Sequence, residues 1–403
     1  SPDVQHPANP APHTDRMWHR RRPYAGWPAA VVAVVVVLLT AGMASGCSLD
    51  RAAGWTAIGP PSAQAVGSVM TLTAAGDSLL VGLASGNPQI TPVLQVWSGE
   101  AWRELPVAPT SPYAKLAVWA SIVAGPDGSL VAVGGARGGA HANVRWTVWT
   151  GNLSAGLTEQ EQTFETFGGW GAGDQIGPVI TGAGPLLIGS WDSARTGLDL
   201  DVWLPEGQRW VRQSSAGTAL ESTPEAMVSG RSVIPWGVGA LISGSVLRLG
   251  GDAVRTTPAV WRSTSGGTGW TRIDLPDGGT TAEATGAVCT DDACTVEGVV
   301  DGHLAVWRVD AAGSAKRLDG IPSVAIGERD PMPAPVLVDG HAAMLVTDQD
   351  DKANSVVVRE GSSGWSKVAG PWGQARAFAT VGGRLYAVCR NGDSPVQVWS
   401  HAA

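Results

Sequence analysis

The chain has 403 residues, among them 54 Gly and 27 Pro, with only 15% charged residues and a net charge of −8. That length holds one large domain or two ordinary ones, the Gly and Pro imply many turns, and the acidic balance excludes a basic nucleic-acid-binding surface. The 19 Trp beside 3 Phe and 3 Tyr set the chain apart, because an ordinary core mixes its aromatics.

The first 53 residues read as an export and anchoring segment. Arg20, Arg21 and Arg22 form a positive patch, an apolar run follows from Ala29 to Ala44, and "ASGC" ends at Cys47. Met17 is a candidate initiator, which makes residues 1–16 an upstream extension and 17–46 the signal peptide. "A-S-G-C" resembles the bacterial lipobox, with Ala44 where Leu is usual. The resemblance implies that Cys47 is diacylated and becomes the new N-terminus, with 47–53 as a lipidated tether. An uncleaved anchor and simple cleavage after Ala44 stay open as alternatives, although the apolar run is short for a bilayer span.

From residue 54 onward a unit recurs. Two apolar runs split by a Gly or Asp turn, such as "MTLTAAGDSLLVGLAS", precede a third run ending in Val-Trp or its equivalent. Those third runs carry Trp97, Trp149, Trp203, Trp261, Trp307, Val358 and Trp399, 41 to 58 residues apart. After most of them a Gly-rich turn leads to a further Trp: Trp102, Trp210, Trp270 and Trp365. Each unit is thus four short strands joined by hairpin turns such as "DG" and "GG". Four-strand units at this period predict propeller blades. The seventh copy stops just past its third strand, while "GWTAIGP" around Trp55 is a fourth strand with no preceding three. Pairing the two completes the last blade and removes a free sheet edge. The expectation is an all-β, seven-bladed β-propeller over 54–403, closed by its N-terminal strand.

Within the fifth unit, Cys289 and Cys294 bracket "TDDA" between two strand-like runs. A four-residue hairpin loop puts them opposite each other, within disulfide reach, and export favours oxidation. Cys389, in "YAVCR", reads as a buried small hydrophobe.

The turn "STSGGTGW" (263–270) resembles the Asp-box of sialidase-type propellers, with Ser265 where Asp is expected, and "VAVGG" (131–135) resembles a kelch double glycine. The chain as a whole resembles the lipid-anchored, Trp-rich propellers of actinobacteria and, more loosely, the sialidase superfamily. Sialidase chemistry needs an arginine cluster, a Tyr nucleophile with a Glu partner and an acid Asp. Only Tyr113 and Tyr386 follow the anchor, and "RSVIPW" lacks the Arg that should precede Ile-Pro. No nucleophile-elbow, HExxH or P-loop pattern appears. Asp348, Asp350 and Asp351 lack the spacing of a calcium loop and read as a solvated acidic loop. No metal and no cofactor is expected.

Propeller ligands meet the face built by the strand 4-to-1 connections and strand 2-to-3 turns. Polar or stacking side chains expected there are Trp170, Asp174, Trp191, Asp192, Arg195, Arg329, Asp330, Trp372 and Arg390. Together these features predict a lipid-anchored protein on the extracytoplasmic face of the cell membrane, acting as a non-catalytic binding or interaction module for an envelope protein or glycan. The alternatives are a divergent sialidase-like, glycan-active enzyme and an accessory subunit of a larger envelope complex. Cys47→Ser is expected to release the protein from membranes or leave its signal uncleaved. A mutant that stays membrane-bound at the mature size overturns the anchor.

Overall fold

Seven sheets, antiparallel but for one pair, follow one another along the chain; six are built from consecutive strands and the last from three consecutive strands and the N-terminal one. The structure, a computed structural model, describes residues 54–60, 67–86, 88–138, 143–394 and 396–403; the signal segment, Cys47 and the 47–53 tether lie outside the described residues. Blade 1 shows the pattern: strands Gly67–Ala75, Ser78–Ser85, Thr91–Trp97 and Trp102–Leu105 pair in that order. Blades 2 to 6 run over residues 118–159, 172–213, 226–274, 282–317 and 336–369, and blade 7 takes its first three strands from 374–402. The stretch 260–276, where "STSGGTGW" lies, is accordingly the end of the third strand, the turn and the fourth strand of blade 4.

The hairpins follow from local backbone chemistry. Two-residue turns that match strand twist need positive φ at both central positions. Gly382 and Gly383 supply it in blade 7 with φ of 55° and 72°, and Asp339–Gly340 in blade 6 with 49° and 78°. In "STSGGTGW" the turn closes on itself: Thr268 N–H donates to the Ser265 carbonyl at 3.0 Å, and the Trp270 indole to the Gly267 carbonyl at 2.8 Å.

The last blade is closed as the sequence predicts. Thr56–Gly59 pairs antiparallel with Val398–Ala402 as the outermost strand of blade 7. The Trp102 indole N–H of blade 1 then donates to the Ile58 carbonyl at 2.7 Å, joining the first blade to the closing strand. First strands of blades 7 and 1 touch, as do those of blades 1 and 2, 2 and 3, 3 and 4, 4 and 5, and 6 and 7. Blades 5 and 6 meet through Leu304 and Val306 against Met344 and Val346. Among the described residues blade 2 alone gains a fifth strand, Val107–Ala108, parallel to Gly156–Glu159.

The core lies between blades rather than at one centre. Trp149, Trp203, Trp261 and Trp307, all on third strands, are fully buried, whereas Trp97 and Trp399 are only partly so. Cys289 and Cys294 face each other in register and form the expected disulfide. Cys389 is buried, its Sγ within 3.4 Å of Ser355 Oγ.

One buried acidic side chain stands without partners among the described residues. Glu297, on the second strand of blade 5, is fully buried, and neither carboxylate oxygen has a hydrogen-bond partner. Burial therefore pushes its carboxyl well above the ordinary glutamate range. The folded chain keeps a proton there that the unfolded chain releases above its ordinary value of about 4.3. The contribution is intact below that value and is lost as the pH climbs toward the raised one, at up to about 1.4 kcal/mol per pH unit. Urea unfolding between pH 5 and 7 should show this decline in the wild type and a flatter profile in Glu297→Gln. Equal slopes in the two would refute a protonated, unpartnered Glu297.

Candidate functional site

Because consecutive strands alternate in direction, the strand 4-to-1 connections and strand 2-to-3 turns gather on one end of the ring. This connection face holds every ligand-contact residue the sequence predicts, but in two separate groups. Trp170, Asp174, Trp191, Asp192 and Arg195 belong to blade 3 and its entry; Arg329, Asp330, Trp372 and Arg390 belong to the junction of blades 6 and 7. In a seven-membered ring those blades are three apart, so the nine residues do not form one site.

Within the blade 3 group Trp191 packs against its own sheet. Trp191 ends the second strand with the Arg212 guanidinium stacked over its ring at 4.6 Å and the Trp203 ring edge-on at 6.1 Å. The position next to Gly171 is crowded by the Trp191 indole, so even a methyl group there would clash. Asp174 lies inside the first strand rather than in a loop, and Asp192 and Arg195 are exposed. Trp170 is fully exposed. Beneath them Arg212 pairs with the buried Asp201 at 2.6 Å. Burial raises the neighbouring Asp199 carboxyl, and the Ser222 N–H that it accepts opposes the rise.

Asp330 organises the other group. Its Oδ2 accepts from Gly327 N–H and the Gln349 amide, both at 2.7 Å, and its Oδ1 from the Gln374 amide at 2.9 Å. One carboxylate thus ties the 5-to-6 connection to a turn of blade 6 and to the first strand of blade 7. Gln374 lies opposite Arg390 in the register, and Arg376 sits at the β-bulge between Ala375 and Ala377. Bulges re-aim side chains, and similar ones interrupt the first strands of blades 1 to 5. Burial and the neighbouring Arg390 pull the Arg376 guanidinium pKa down, and Asp330 opposes them. Among the described residues neither arginine enters an ion pair.

On the other side of Asp330 opens a cavity of about 440 Å³ between blades 4, 5 and 6. Glu283, Glu328 and Asp330 supply its charge, and Val299, Ile326 and Met332 its apolar wall. Glu283 is also 3.6 Å from the bulge residue Arg231 of blade 4. The cavity offers carboxylates to a cationic group, and across Asp330 two arginines face an anionic one. Sequence reading found Arg329, Asp330 and Arg390 but missed Gln349, Gln374, Arg376 and Glu283. Arg231, Glu283 and Arg376 lie in strand-like runs, and Arg231 and Arg376, at bulges of their strands, are exposed.

In the acidic stretch Asp348 departs from the solvated-loop expectation, whereas Asp350 is exposed. Asp348 is buried, accepts the Asp350 N–H and pairs with Lys367 at 3.0 Å. Among the described residues no three metal-ligating side chains converge.

No family model matches the chain, and no curated protein does. Solved structures share its fold. It aligns with the β-propeller domain of the Trilobed protease from Pyrococcus furiosus at a TM-score of 0.50 and 7% identity, covering 83% of this chain and 95% of that one. Against the acylaminoacyl peptidase of Pyrococcus horikoshii the TM-score is 0.52 at 9% identity, with 84% and 52% covered. The Trypanosoma rangeli sialidase gives 0.42 and 11%, with 83% and 53% covered, a distant structural similarity to a sialidase propeller. The chain spans about half the length of the latter two. The Trilobed propeller is described as having an open velcro topology, whereas here both chain ends build blade 7. The expectation of a non-catalytic binding or interaction module does not stand against these matches, whose propellers belong to hydrolases. Motif spacing could not show this, because the shared feature is three-dimensional.

Asp330→Ala removes the acceptor of three donors and is expected to cost about 1–3 kcal/mol in urea unfolding. Asp330→Asn, which keeps one carbonyl oxygen, should cost less. An Ala variant as stable as the wild type would show that the hub does not bind blades 6 and 7 together.

Proposed function

We propose that this chain is a hydrolase-associated propeller that takes up the substrate of a hydrolytic reaction on its connection face, at the junction of blades 5, 6 and 7. The observation that carries the reading is the fold shared with propellers of a protease and an acylaminoacyl peptidase at TM-scores of 0.50 and 0.52. The chemistry of the face is compatible with a dipolar substrate such as a peptide. Glu283 and Glu328 suit an amine, the apolar wall a side chain, and Arg376 with Arg390 a carboxylate or carbonyl oxygen. The sequence around Cys47 supports a place for this propeller at the outer face of a membrane, where such substrates meet it.

The test is hydrolysis itself. The purified full chain, and the native complex captured with it, are incubated with a fluorophosphonate probe and with aminoacyl and peptidyl reporter substrates. Hydrolysis above a heat-denatured control is expected. It should fall at least about tenfold, roughly 1.4 kcal/mol of lost stabilisation, when Arg376 and Arg390 are both changed to Ala and circular dichroism is unchanged. Absence of hydrolysis in both preparations, or activity indifferent to the arginines, overturns the reading.

A further inference from the structure

Tryptophan packs most blades of this chain, and of the few other rings Phe378 and Tyr386 join the blade 7 core. Of the 3 Phe and 3 Tyr in the sequence, Tyr113, Phe164 and Phe167 line one cavity of about 350 Å³ on the connection face at blade 2. That is the size of a small-molecule site. The rings arrive on two elaborated connections. Tyr113 comes from the 1-to-2 connection, and Phe164 and Phe167 from the short helix Phe164–Phe167 that precedes blade 3.

The lining carries one cation, Arg145, and two carboxylates, Glu159 and Glu161, the latter 3.7 Å from Arg209. Arg145, on the third strand of blade 2, holds its guanidinium carbon 4.8 Å from the centre of the Phe164 ring and 6.0 Å from that of Tyr113. Among the described residues it enters no ion pair. Stacking occupies the faces of a guanidinium and leaves its N–H edge, the part that grips a carboxylate through two parallel hydrogen bonds. Gln162 donates its amide N–H to the Trp146 carbonyl, which leaves its Oε1 buried without a partner.

Glu159, although part of the lining, is already saturated. It accepts the N–H and O–H of both Thr110 and Ser111 at 2.6 to 2.7 Å. Burial pushes its carboxyl up, and these four bonds together outweigh that and hold it below the usual range. It remains a fixed anion that ties down the connection bearing Tyr113.

We propose that this cavity binds a small ligand carrying a carboxylate on a flat or apolar body. The carboxylate sits on the N–H edge of Arg145, the body lies against Phe164 and Tyr113, and a ligand N–H or O–H donates to Oε1 of Gln162. The C-terminal end of a short peptide and an acidic sugar share this chemistry. The cavity shares no lining residue with the one beside Asp330, so the proposal stands apart from the hydrolase reading.

Isothermal titration of the purified chain tests it. The probes are N-acetyl-glycyl-phenylalanine and glucuronate, each beside its uncharged counterpart, the C-terminal amide and glucose. One acid is expected to bind saturably, with its neutral counterpart at least about tenfold weaker. The arm that binds distinguishes a peptide end from a sugar. Arg145→Gln should weaken that acid at least about tenfold, and Phe164→Ala should weaken acid and neutral forms alike, both with an unchanged melting temperature. Equal binding of acid and neutral forms, binding that survives Arg145→Gln, or no saturation by either acid overturns the proposal.

Discussion

The ring depends on a tryptophan indole that is buried between blades and still finds a hydrogen-bond acceptor. Trp203, Trp261 and Trp307 occupy the same place on three successive third strands and expose essentially nothing to solvent. Each directs its N–H to a carbonyl of the connection that enters its own blade: Thr166 at 2.8 Å, Ala219 at 3.0 Å and Pro276 at 2.7 Å. A large apolar surface and one satisfied donor come from a single side chain. Phe is smaller and has no N–H with which to hold the connection.

Where the device lapses, the connection is held otherwise and takes on a different shape. Trp149 gives its N–H to Thr147 in its own strand. The 1-to-2 connection is gripped by Glu159 instead, and it adds a short parallel strand and a 3-10 turn. Blade 6 has Val358 in place of the Trp, and the connection entering it runs through Asp330, which binds blade 6 to blade 7. Each cavity of chemical interest borders one connection freed from the repeated tryptophan bond, while Phe164 and Phe167 of the first lie on the connection that Trp203 holds at Thr166. Repetition builds the scaffold, and its local failures make room for sites.

The connection face is divided as a result. On this face the exposed Ile90, Tyr113, Phe164 and Trp170 belong to the blade 1 to 3 side, and the exposed Leu249 and Val254 to blade 4. Arg329, Asp330, Arg376 and Arg390 belong to the blade 5 to 7 side. The face thus carries aromatic surface on one side and charged side chains on the other. The buried Glu297 lies in neither cavity lining and adds only a pH-dependent weakness at the junction of blades 5 and 6.

Local chemistry made much of the architecture legible in the sequence. The spacing of Val-Trp, the Asp-Gly and Gly-Gly turns, the unfinished seventh unit and the orphan strand at Trp55 each depend on near neighbours along the chain. They specify four-stranded blades, the closure and the Cys289–Cys294 pair. The connection face was legible too, because strand alternation alone assigns loops to ends. What sequence could not decide was which loops meet. Asp330 gains its meaning from Gln349 and Gln374, 19 and 44 residues away, and Arg376 is exposed at a bulge of its strand. Trp191 has the composition of a ligand platform, yet Trp203 and Arg212 from the same sheet occupy it. Strand formation is set by nearest neighbours, but a site is set by which side chains the closed ring leaves without partners, and only the tertiary structure decides that.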